Sequence, residues 1–202
     1  MIAELSEHIT QKLVEYQAIR SEERELYRYG IQQVFNIIWN LITIVVIGLL
    51  LNKVWESLIF TTAYIPLRSY AGGYHAKTPK RCYLFSCMMI IAVLLAMKIL
   101  SLGSFICSCL AVTGSICILI FAPVGTANKP LDDKEKWVYR KKTRWILLFE
   151  ILVFVLATVS NLPILSMTLS LSLFVSGSMV VLGIVSNYIF ANSKNDKSDI
   201  KF

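Results

Sequence analysis

Charged residues are scarce in this chain. Only 16% of its 202 residues are Asp, Glu, Lys or Arg, whereas 56% are hydrophobic and the mean hydropathy is +0.63. Soluble domains typically carry about 25% charged residues. The composition therefore excludes an ordinary soluble domain and indicates a protein of the lipid bilayer.

The motifs of several common chemistries are missing as well. The sequence has no glycine-rich loop of the Walker type and no H-E-x-x-H pair, and His8 and His75 are its only histidines. A histidine and a cysteine are too few ligands for zinc. No basic stripe is interleaved with aromatic residues outside the apolar segments, which argues against nucleic-acid binding. We therefore expect no cofactor, no metal ion and no nucleic-acid partner.

Cysteine is sparse too, with five residues. The number is odd, and all but Cys82 lie in apolar segments, where a thiol behaves as a small hydrophobe, so we expect no disulfides. Cys107 and Cys109 are two residues apart on a predicted helix and point to different faces, which excludes a metal pair. Only Cys82 lies at a boundary between polar and apolar sequence.

Six segments are candidates for the roughly 20 mainly apolar residues that a spanning helix needs. They are residues 34–51, 54–67, 82–100, 104–124, 145–160 and 163–190. The shortest, 54–67, is either completed by Ser69 and Tyr70 or tilted into the interface. We predict an all-α fold, a single polytopic membrane domain over residues 1–202 with six transmembrane helices.

The distribution of lysine and arginine predicts the orientation, because basic residues in short loops stay cytoplasmic. With both termini in the cytoplasm, only Lys53 and Lys98 of the 20 basic residues lie outside. Two cytoplasmic loops result, 68–81 and 125–144. The second contains seven basic and three acidic residues. Its charge directs the topology, or it also docks an acidic segment of a partner.

Residues 1–30 form an amphipathic segment and lack the basic n-region and apolar run of a signal peptide. Apolar residues recur there at helical spacing. We expect a helix that lies on the inner membrane surface or packs against the bundle. The apolar stripe consists of Ile2, Leu5, Ile9, Leu13 and Tyr16.

The last apolar segment carries a ridge of small residues at spacings of 4 and 7, formed by Ser172, Ser176 and Gly183. Small residues let helices approach closely. The ridge can serve packing within the chain or a homodimer.

The stretch "RSYAGGYHAKTPKRCYLFS", residues 68–86, places a cysteine at the start of a helix. Thr78 suits the N-cap position and Pro79 the first helical position, which makes Cys82 the fourth residue of the helix. The positive end of the helix dipole, with Lys80 and Arg81, favours a thiolate over a thiol. This pattern is typical of a nucleophile.

A histidine lies seven residues before that cysteine. His75 could manage protons for Cys82, as histidines do beside catalytic thiols. Gly72 and Gly73 tolerate positive φ and permit a turn that brings His75 back over the helix start. A histidine and a cysteine in one loop can equally be unrelated.

Three stretches of the sequence resemble the accessory gene regulator B family, membrane peptidases of Gram-positive quorum sensing. "SEERELYRYGIQQ", residues 21–33, is similar to the segment before that family's first span. "APVGTANKPLDDKEKWVYRKKTR", residues 122–144, is similar to its second cytoplasmic loop. The stretch 68–86 resembles the family signature in its Arg68, Gly72, Gly73, His75, Ala76, Cys82 and Ser86.

The resemblance implies a cysteine endopeptidase of the bacterial cell membrane. Such an enzyme cuts a small precursor peptide through a thioester on the cysteine and helps to close it into a cyclic thiolactone or lactone signal. The family's catalytic histidine and cysteine correspond to His75 and Cys82. Of the other matching positions, Arg68, Gly72 and Gly73 would support the loop, and Ser86 would line the pocket or simply pack.

The resemblance also implies a partner. The precursor carries an amphipathic leader and an acidic tail, and some relatives have it fused at the C-terminus. Here the tail "ANSKNDKSDIKF" contains no cysteine and is too short, so we expect the precursor to be a separate chain. The family further suggests a homodimer.

The group that would orient His75 is not evident from the sequence. Glu150 is a candidate, because a carboxylate within a span is costly and functional by default. Pairing of Glu150 with Arg144 or another base is the competing explanation. Gln32, Gln33 and Asn36 lie at the same membrane level and are rivals for the orienting role.

Two other classes compete with the peptidase. A small transporter or channel could have six spans and an intramembrane Glu150, but the spans show no inverted repeat. A non-catalytic membrane scaffold is the second alternative. A transporter has no use for a cysteine at a basic helix start.

Overall fold

The computed structural model describes residues 2–74, 78–100, 102–125 and 132–199. Within these ranges every regular element is a helix, and a single isolated bridge pairs Gly72 with Val124. The predicted all-α fold is therefore confirmed. The chain divides into two compact units, Met1–Ile47 and Gly48–Phe202.

The first unit begins with helix α1 (Ile2–Glu15), which a 3₁₀ turn (Ser21–Glu23) connects to helix α2 (Arg24–Leu50). All but the last turn of α2 belongs to this unit. Helix α2 begins at Arg24, before the apolar segment 34–51. The helix therefore includes part of the segment 1–30 that the sequence assigns to the amphipathic N-terminus.

The apolar stripe of α1 is not its buried face. Ser6 and Thr10 are fully buried, and their hydroxyls donate to backbone carbonyls one turn back, at 2.8 and 2.7 Å. Leu5 and Tyr16 of the stripe are exposed. Whether the stripe lies on a membrane surface stays a prediction.

Glu7 ties α1 to the start of α2. Its carboxylate accepts hydrogen bonds from the guanidinium groups of Arg24 and Arg28, the second at 3.2 Å. Desolvation alone would raise the pKa of Glu7, but the hydrogen bonds from Arg28 and Arg24 outweigh it and lower the pKa.

The second unit contains five helices: α3 (Val54–Ala71), α4 (Pro79–Ile99), α5 (Ser104–Phe121), α6 (Asp133–Val159) and α7 (Pro163–Asp199). Helix α7 contacts each of the other four and is the most buried of the apolar helices. The core of the unit therefore forms around α7. Its largest fully buried side chains are Phe60, Leu67, Leu94, Ile118, Leu147, Leu173 and Val180.

Glycines bring α5 and α7 into backbone contact. A Cβ at Gly114 would overlap the carbonyl of Leu173, and a Cβ at Gly177 would lie 2.6 Å from the Gly114 carbonyl oxygen. Real Cβ atoms do not approach so closely. The two helices could not pack at the observed distance from each other if these positions carried side chains.

The small-residue ridge of α7 packs within the chain. Ser172 and Ser176 are buried, and a Cβ at Gly183 would lie 2.6 Å from the carbonyl carbon of Gly73. Of the two uses that the sequence leaves open, the structure favours intramolecular packing. A homodimer stays a prediction.

Four helices of the described chain are long and apolar enough to cross a membrane: Ser21–Leu50, Lys80–Ile99, Ser104–Phe121 and Pro163–Ile189. They cover four of the six predicted spans. The other two, 54–67 and 145–160, lie in α3 and α6, which are helical but carry the charged residues Glu56, Arg68 and Glu150. Their crossing of the membrane stays a prediction.

Helix α6 begins at Asp133 rather than at Trp145. Most of the segment 125–144, predicted as a loop, is therefore helical. The reason lies in local capping: the backbone N–H of Asp132 donates to Glu135 Oε2 at 3.3 Å, and acidic residues fill the first turn of the helix. Helix α3 likewise continues to Ala71, which shortens the predicted loop 68–81.

All five cysteines are free thiols. Cys107 is 2% exposed, whereas Cys109 faces outward. The two therefore lie on different faces of α5, as the sequence predicts.

Candidate functional site

Helix α4 starts as its sequence predicts. Thr78 is the N-cap, and its hydroxyl accepts a hydrogen bond from the backbone N–H of Arg81 at 3.4 Å. Pro79 occupies the first turn, where its missing N–H costs nothing. The N–H of Cys82 donates to the carbonyl of Thr78 at 3.0 Å, which makes Cys82 the fourth helical residue.

Cys82 is half-buried, whereas Lys80 and Arg81 before it are exposed. Tyr64 of α3 interacts electrostatically with both Cys82 and Arg68. The thiol therefore lies at the charged start of α4.

Ser86 lies one helical turn beyond Cys82. Its hydroxyl donates to the carbonyl of Cys82 at 3.1 Å. The hydroxyl is thus engaged with the helix backbone, a common arrangement for serine within helices. Whether Ser86 also lines a substrate pocket stays a prediction.

Arg68 holds the loop that leads toward α4. Its guanidinium donates through Nη1 to the carbonyl of Gly72 and through Nη2 to the carbonyl of Tyr74. Two fixed donors on one planar group set the direction of both carbonyls. The last turn of α3 and the three residues after it therefore form one clamped structure.

The same loop is fixed from the side of α7 and from the end of α5. The N–H of Tyr74 donates to the carbonyl of Met179 at 2.9 Å, and the N–H of Val124 donates to the carbonyl of Ala71 at 2.9 Å. Asn187 of α7 donates through Nδ2 to the Gly125 carbonyl at 2.8 Å. The loop after α3 and the loop after α5 are thus each hydrogen-bonded to α7, and they are also hydrogen-bonded to each other.

Gly72 and Gly73 adopt conformations that other residues rarely reach, with φ of +74° and +121°. There is no space for side chains either. A Cβ at Gly72 would overlap the Val124 carbonyl, and one at Gly73 would lie 2.5 Å from the carbonyl oxygen of Met179. Both the backbone and the packing therefore require glycine at these positions.

His75 lies outside the described residues. Tyr74 immediately before it is described, and its ring centroid lies 5.5 Å from that of Phe85. Phe85 follows Cys82 by three positions on α4, which is nearly one turn. The described end of the loop therefore packs against the second turn of α4, about one turn beyond Cys82.

Glu150 is buried, at 5% exposure, and neither carboxyl oxygen has a hydrogen-bond partner within the described ranges. The expected pairing with Arg144 or another base is wrong, because Arg144 lies on the exposed face of α6. An orienting role toward His75 depends on a residue outside the described ranges. Its rivals Gln33 and Asn36 bond to each other at 3.3 Å, in the first unit of the chain.

The basic start of α6 contacts the end of α3. The ring of Tyr139 meets that of Tyr70 edge-on at 5.8 Å, and the ammonium of Lys142 lies 4.8 Å from the Tyr70 ring centroid. These contacts place part of the basic segment two residues from Arg68. Within the described ranges, no three His, Cys, Asp or Glu side chains come together as a metal site.

Sequence reasoning did not find Tyr64, Tyr74, Met179 or Asn187 as parts of this site. Tyr74 stands beside Gly73 in the signature stretch, which is a local signal. Met179 contributes only its backbone carbonyl, which no sequence pattern reveals. Tyr64 lies one turn before Arg68 on α3, and Asn187 reaches the site from α7, which is distant in sequence.

The prediction for Arg68 concerns position rather than charge. Arg68→Lys keeps the charge but loses one of two donors to the loop carbonyls, and a hydrogen bond from a charged group contributes about 1.5–3 kcal/mol. For the cleavage reaction that the family resemblance implies, we expect kcat to fall about 10- to 100-fold, with KM little changed. Arg81→Lys, at an exposed position, is the matched control. Equal losses in both variants would contradict the positioning role.

The prediction for Gly72 concerns the fold of the loop. Gly72→Ala introduces a Cβ where the Val124 carbonyl lies, at a φ that costs about 1–3 kcal/mol for other residues. We expect the melting temperature in detergent to fall by about 2–4 °C for each kcal/mol. Gly30→Ala is the control, since nothing lies within 4 Å of a Cβ there. A melting temperature equal to that of Gly30→Ala would refute the predicted clash.

These features define a class of protein: an all-helical membrane protein with a half-buried thiol at the start of an apolar helix and an arginine-clamped loop beside it. The Accessory gene regulator B (AgrB) family model matches residues 6–191. The chain belongs to the AgrB family, which acts with a separate precursor peptide in accessory gene regulation and quorum-sensing signal processing.

Several curated proteins are similar to this chain. An AgrB-like protein of Clostridium perfringens strain SM101 is 30% identical over 149 residues, 70% of each chain. Protein FsrB of Enterococcus faecalis is 29% identical over 61% of this chain and 52% of its own length. Accessory gene regulator protein B of Staphylococcus saprophyticus is 29% identical over 53% of this chain and 57% of its own length. No solved structure matches.

Proposed function

We propose that this protein is a membrane cysteine endopeptidase that cuts a precursor peptide through a thioester on Cys82 and promotes cyclisation of the product. The observation that carries the proposal is the position of Cys82, half-buried at the fourth residue of α4 and next to the basic residues Lys80 and Arg81. Family membership supports the peptide as substrate.

His75 is the proposed proton donor and acceptor. Tyr74, which precedes His75 in the sequence, packs against Phe85 of α4, and this contact supports a role for the loop in the reaction at Cys82. The clamp by Arg68 fixes the chain up to this point. In this proposal Arg68, Gly72 and Gly73 act on the reaction only by positioning His75.

The first half of the reaction forms the acyl-enzyme. The thiolate of Cys82 attacks the carbonyl carbon of the scissile peptide bond and forms a C–S bond. The C–N bond then breaks, and the protonated His75 gives its proton to the leaving amine. The N-terminal part of the precursor remains on Cys82 as a thioester, and the C-terminal part leaves.

The second half closes the ring. A thiol or hydroxyl within the bound peptide gives its proton to His75 and attacks the thioester carbonyl, and the Cys82 thiolate leaves. When the attacking group is a thiol, one thioester is exchanged for another, which is nearly balanced in energy. No nucleotide hydrolysis is needed for this step, and exclusion of water would suppress the competing hydrolysis.

The basic segment at the start of α6 is the proposed dock for the acidic tail of the precursor. Lys142 lies over Tyr70, at the end of α3 that also carries Arg68. A carboxylate bound there would lie beside the loop that precedes His75. With the predicted topology this surface faces the cytoplasm, the side on which a precursor is synthesised.

The experiment that tests this function distinguishes cyclisation from hydrolysis. The purified protein in lipid vesicles is incubated with labelled precursor in water enriched in heavy oxygen. Hydrolysis places heavy oxygen in the new carboxylate, whereas ring closure places none and releases a product lighter by one water. We expect the lighter, unlabelled product. Linear, labelled product alone would reduce the proposal to a simple protease, and no cleavage would refute it.

A further inference from the structure

Glu150 is a buried carboxyl group without a partner in the described part of the chain. Neither of its oxygens has a hydrogen-bond partner among the described residues, although the side chain is only 5% exposed. Glu56 of α3 is equally buried but accepts a 2.7 Å hydrogen bond from Lys53. Ionising a buried carboxyl group without a partner costs several kcal/mol, and a cation from outside the fold would offset that cost.

Glu150 lies in a groove between α3, α6 and α7 with a volume of about 690 Å³. Its walls are apolar, with Trp55 and Pro66 on one side and Trp145 and Leu169 on the others, and Glu150 is the only ionisable residue that lines it. Cys82, Arg68 and Tyr74 are not part of the groove. It is therefore a separate site.

The depth of Glu150 limits what can reach it. Arg144, the last basic residue of α6, precedes Glu150 by six residues, which is about 9 Å along a helix. Phe149 and Leu152 beside it point outward at 66% and 56% exposure, as lipid-facing side chains do. Amphipathic helices that lie in a membrane interface are buried by about 5–10 Å. The apolar face of such a helix therefore reaches the same depth in the membrane as Glu150, when Arg144 lies at the membrane surface.

We propose that this groove binds a membrane-lying apolar segment of the peptide substrate, and that one lysine or arginine of that segment pairs with Glu150. The two free oxygens accept one ammonium or both arms of a guanidinium. A phospholipid fits less well, because any headgroup that brings an amine also brings a phosphate, which the carboxylate repels. The identity of the occupant as substrate rests on the function proposed above.

The test measures binding without catalysis. The Cys82→Ala protein, with Trp39 and Trp137 replaced by Phe, retains as reporters Trp55 and Trp145, which line the groove. It is placed in phosphatidylcholine nanodiscs and titrated with two amphipathic peptides of about 18 residues, five helical turns. The peptides carry a nitroxide quencher and differ only in a lysine or a leucine at the centre of the apolar face.

We expect the lysine peptide to quench with about 10- to 100-fold higher affinity than the leucine peptide, as for a hydrogen bond between charged groups. Glu150→Gln should remove this preference, whereas Glu56→Gln, at a carboxylate that is already paired, should preserve it. Ala63→Phe fills the groove and leaves Glu150 in place, so it should weaken binding of both peptides. This variant tests the groove as the binding site even if Glu150→Gln does not fold.

Equal affinities for the two peptides would overturn the proposal. So would a lysine preference that survives Glu150→Gln, or quenching unaffected by Ala63→Phe, which would mean that the peptide lies in the lipid and not in the groove. Because the nucleophile is absent throughout, these outcomes leave the thioester mechanism untouched. Conversely, failure to find an acyl-enzyme in the active protein leaves the measured docking untouched.

Discussion

Cys82→Ala should abolish cleavage of the precursor completely. In the proposed mechanism the thiol forms the bond that holds the peptide, and no other cysteine lies at the start of a helix next to basic residues. The expected loss exceeds the effect of any positioning residue, because the reaction has no other covalent route. Purified variants in lipid vesicles, incubated with labelled precursor, provide the measurement.

Cys87→Ala is the matched control for this experiment. Cys87 is also a half-buried free thiol on α4, five residues further along the helix. Its substitution should leave cleavage largely intact. Cleaved peptide from Cys82→Ala would place the nucleophile elsewhere, and equal losses in both variants would indicate damage to α4 rather than to chemistry.

His75→Ala should slow cleavage by about 10²- to 10⁴-fold, the usual contribution of general acid–base catalysis. The loss should appear in the rate of acyl-enzyme formation, while the affinity for the precursor changes little, because the histidine transfers protons and does not hold the peptide. Single-turnover kinetics at saturating precursor separate the rate from the affinity.

His8→Ala is the control, since His8 is the other histidine of the chain and lies exposed on α1. It should leave both quantities unchanged. If His75→Ala weakened precursor binding and left the single-turnover rate unaltered, the histidine would be a binding residue and the proposed pair would be wrong.

The start of α4 could be predicted because its determinants are local. Thr78 and Pro79 fit the N-cap and the first turn by their own chemistry, and the position of Cys82 follows by counting. The helical segments could be predicted for the same reason, since apolar length is a property of the sequence. The family followed from short stretches that keep their order along the chain.

The packing around the loop could not be predicted, because it depends on residues far apart in sequence. The carbonyl of Met179 binds Tyr74, and Gly183 lies against Gly73, more than 100 positions apart in both cases. Contacts made by backbone groups cannot be inferred from the pattern of side chains in the sequence. The unpaired state of Glu150 was also unpredictable, since a nearby arginine in sequence, Arg144, points to another face of the same helix.

The most direct test of the thioester mechanism uses a precursor whose ring-closing thiol or hydroxyl is replaced by alanine, so that the acyl-enzyme cannot proceed to the ring. The protein is incubated with this peptide, isolated under non-reducing conditions and weighed by mass spectrometry. The mechanism predicts that the mass increases by the N-terminal part of the precursor, that the adduct maps to Cys82, and that hydroxylamine releases it. Cleaved peptide without any adduct on Cys82 would contradict the mechanism.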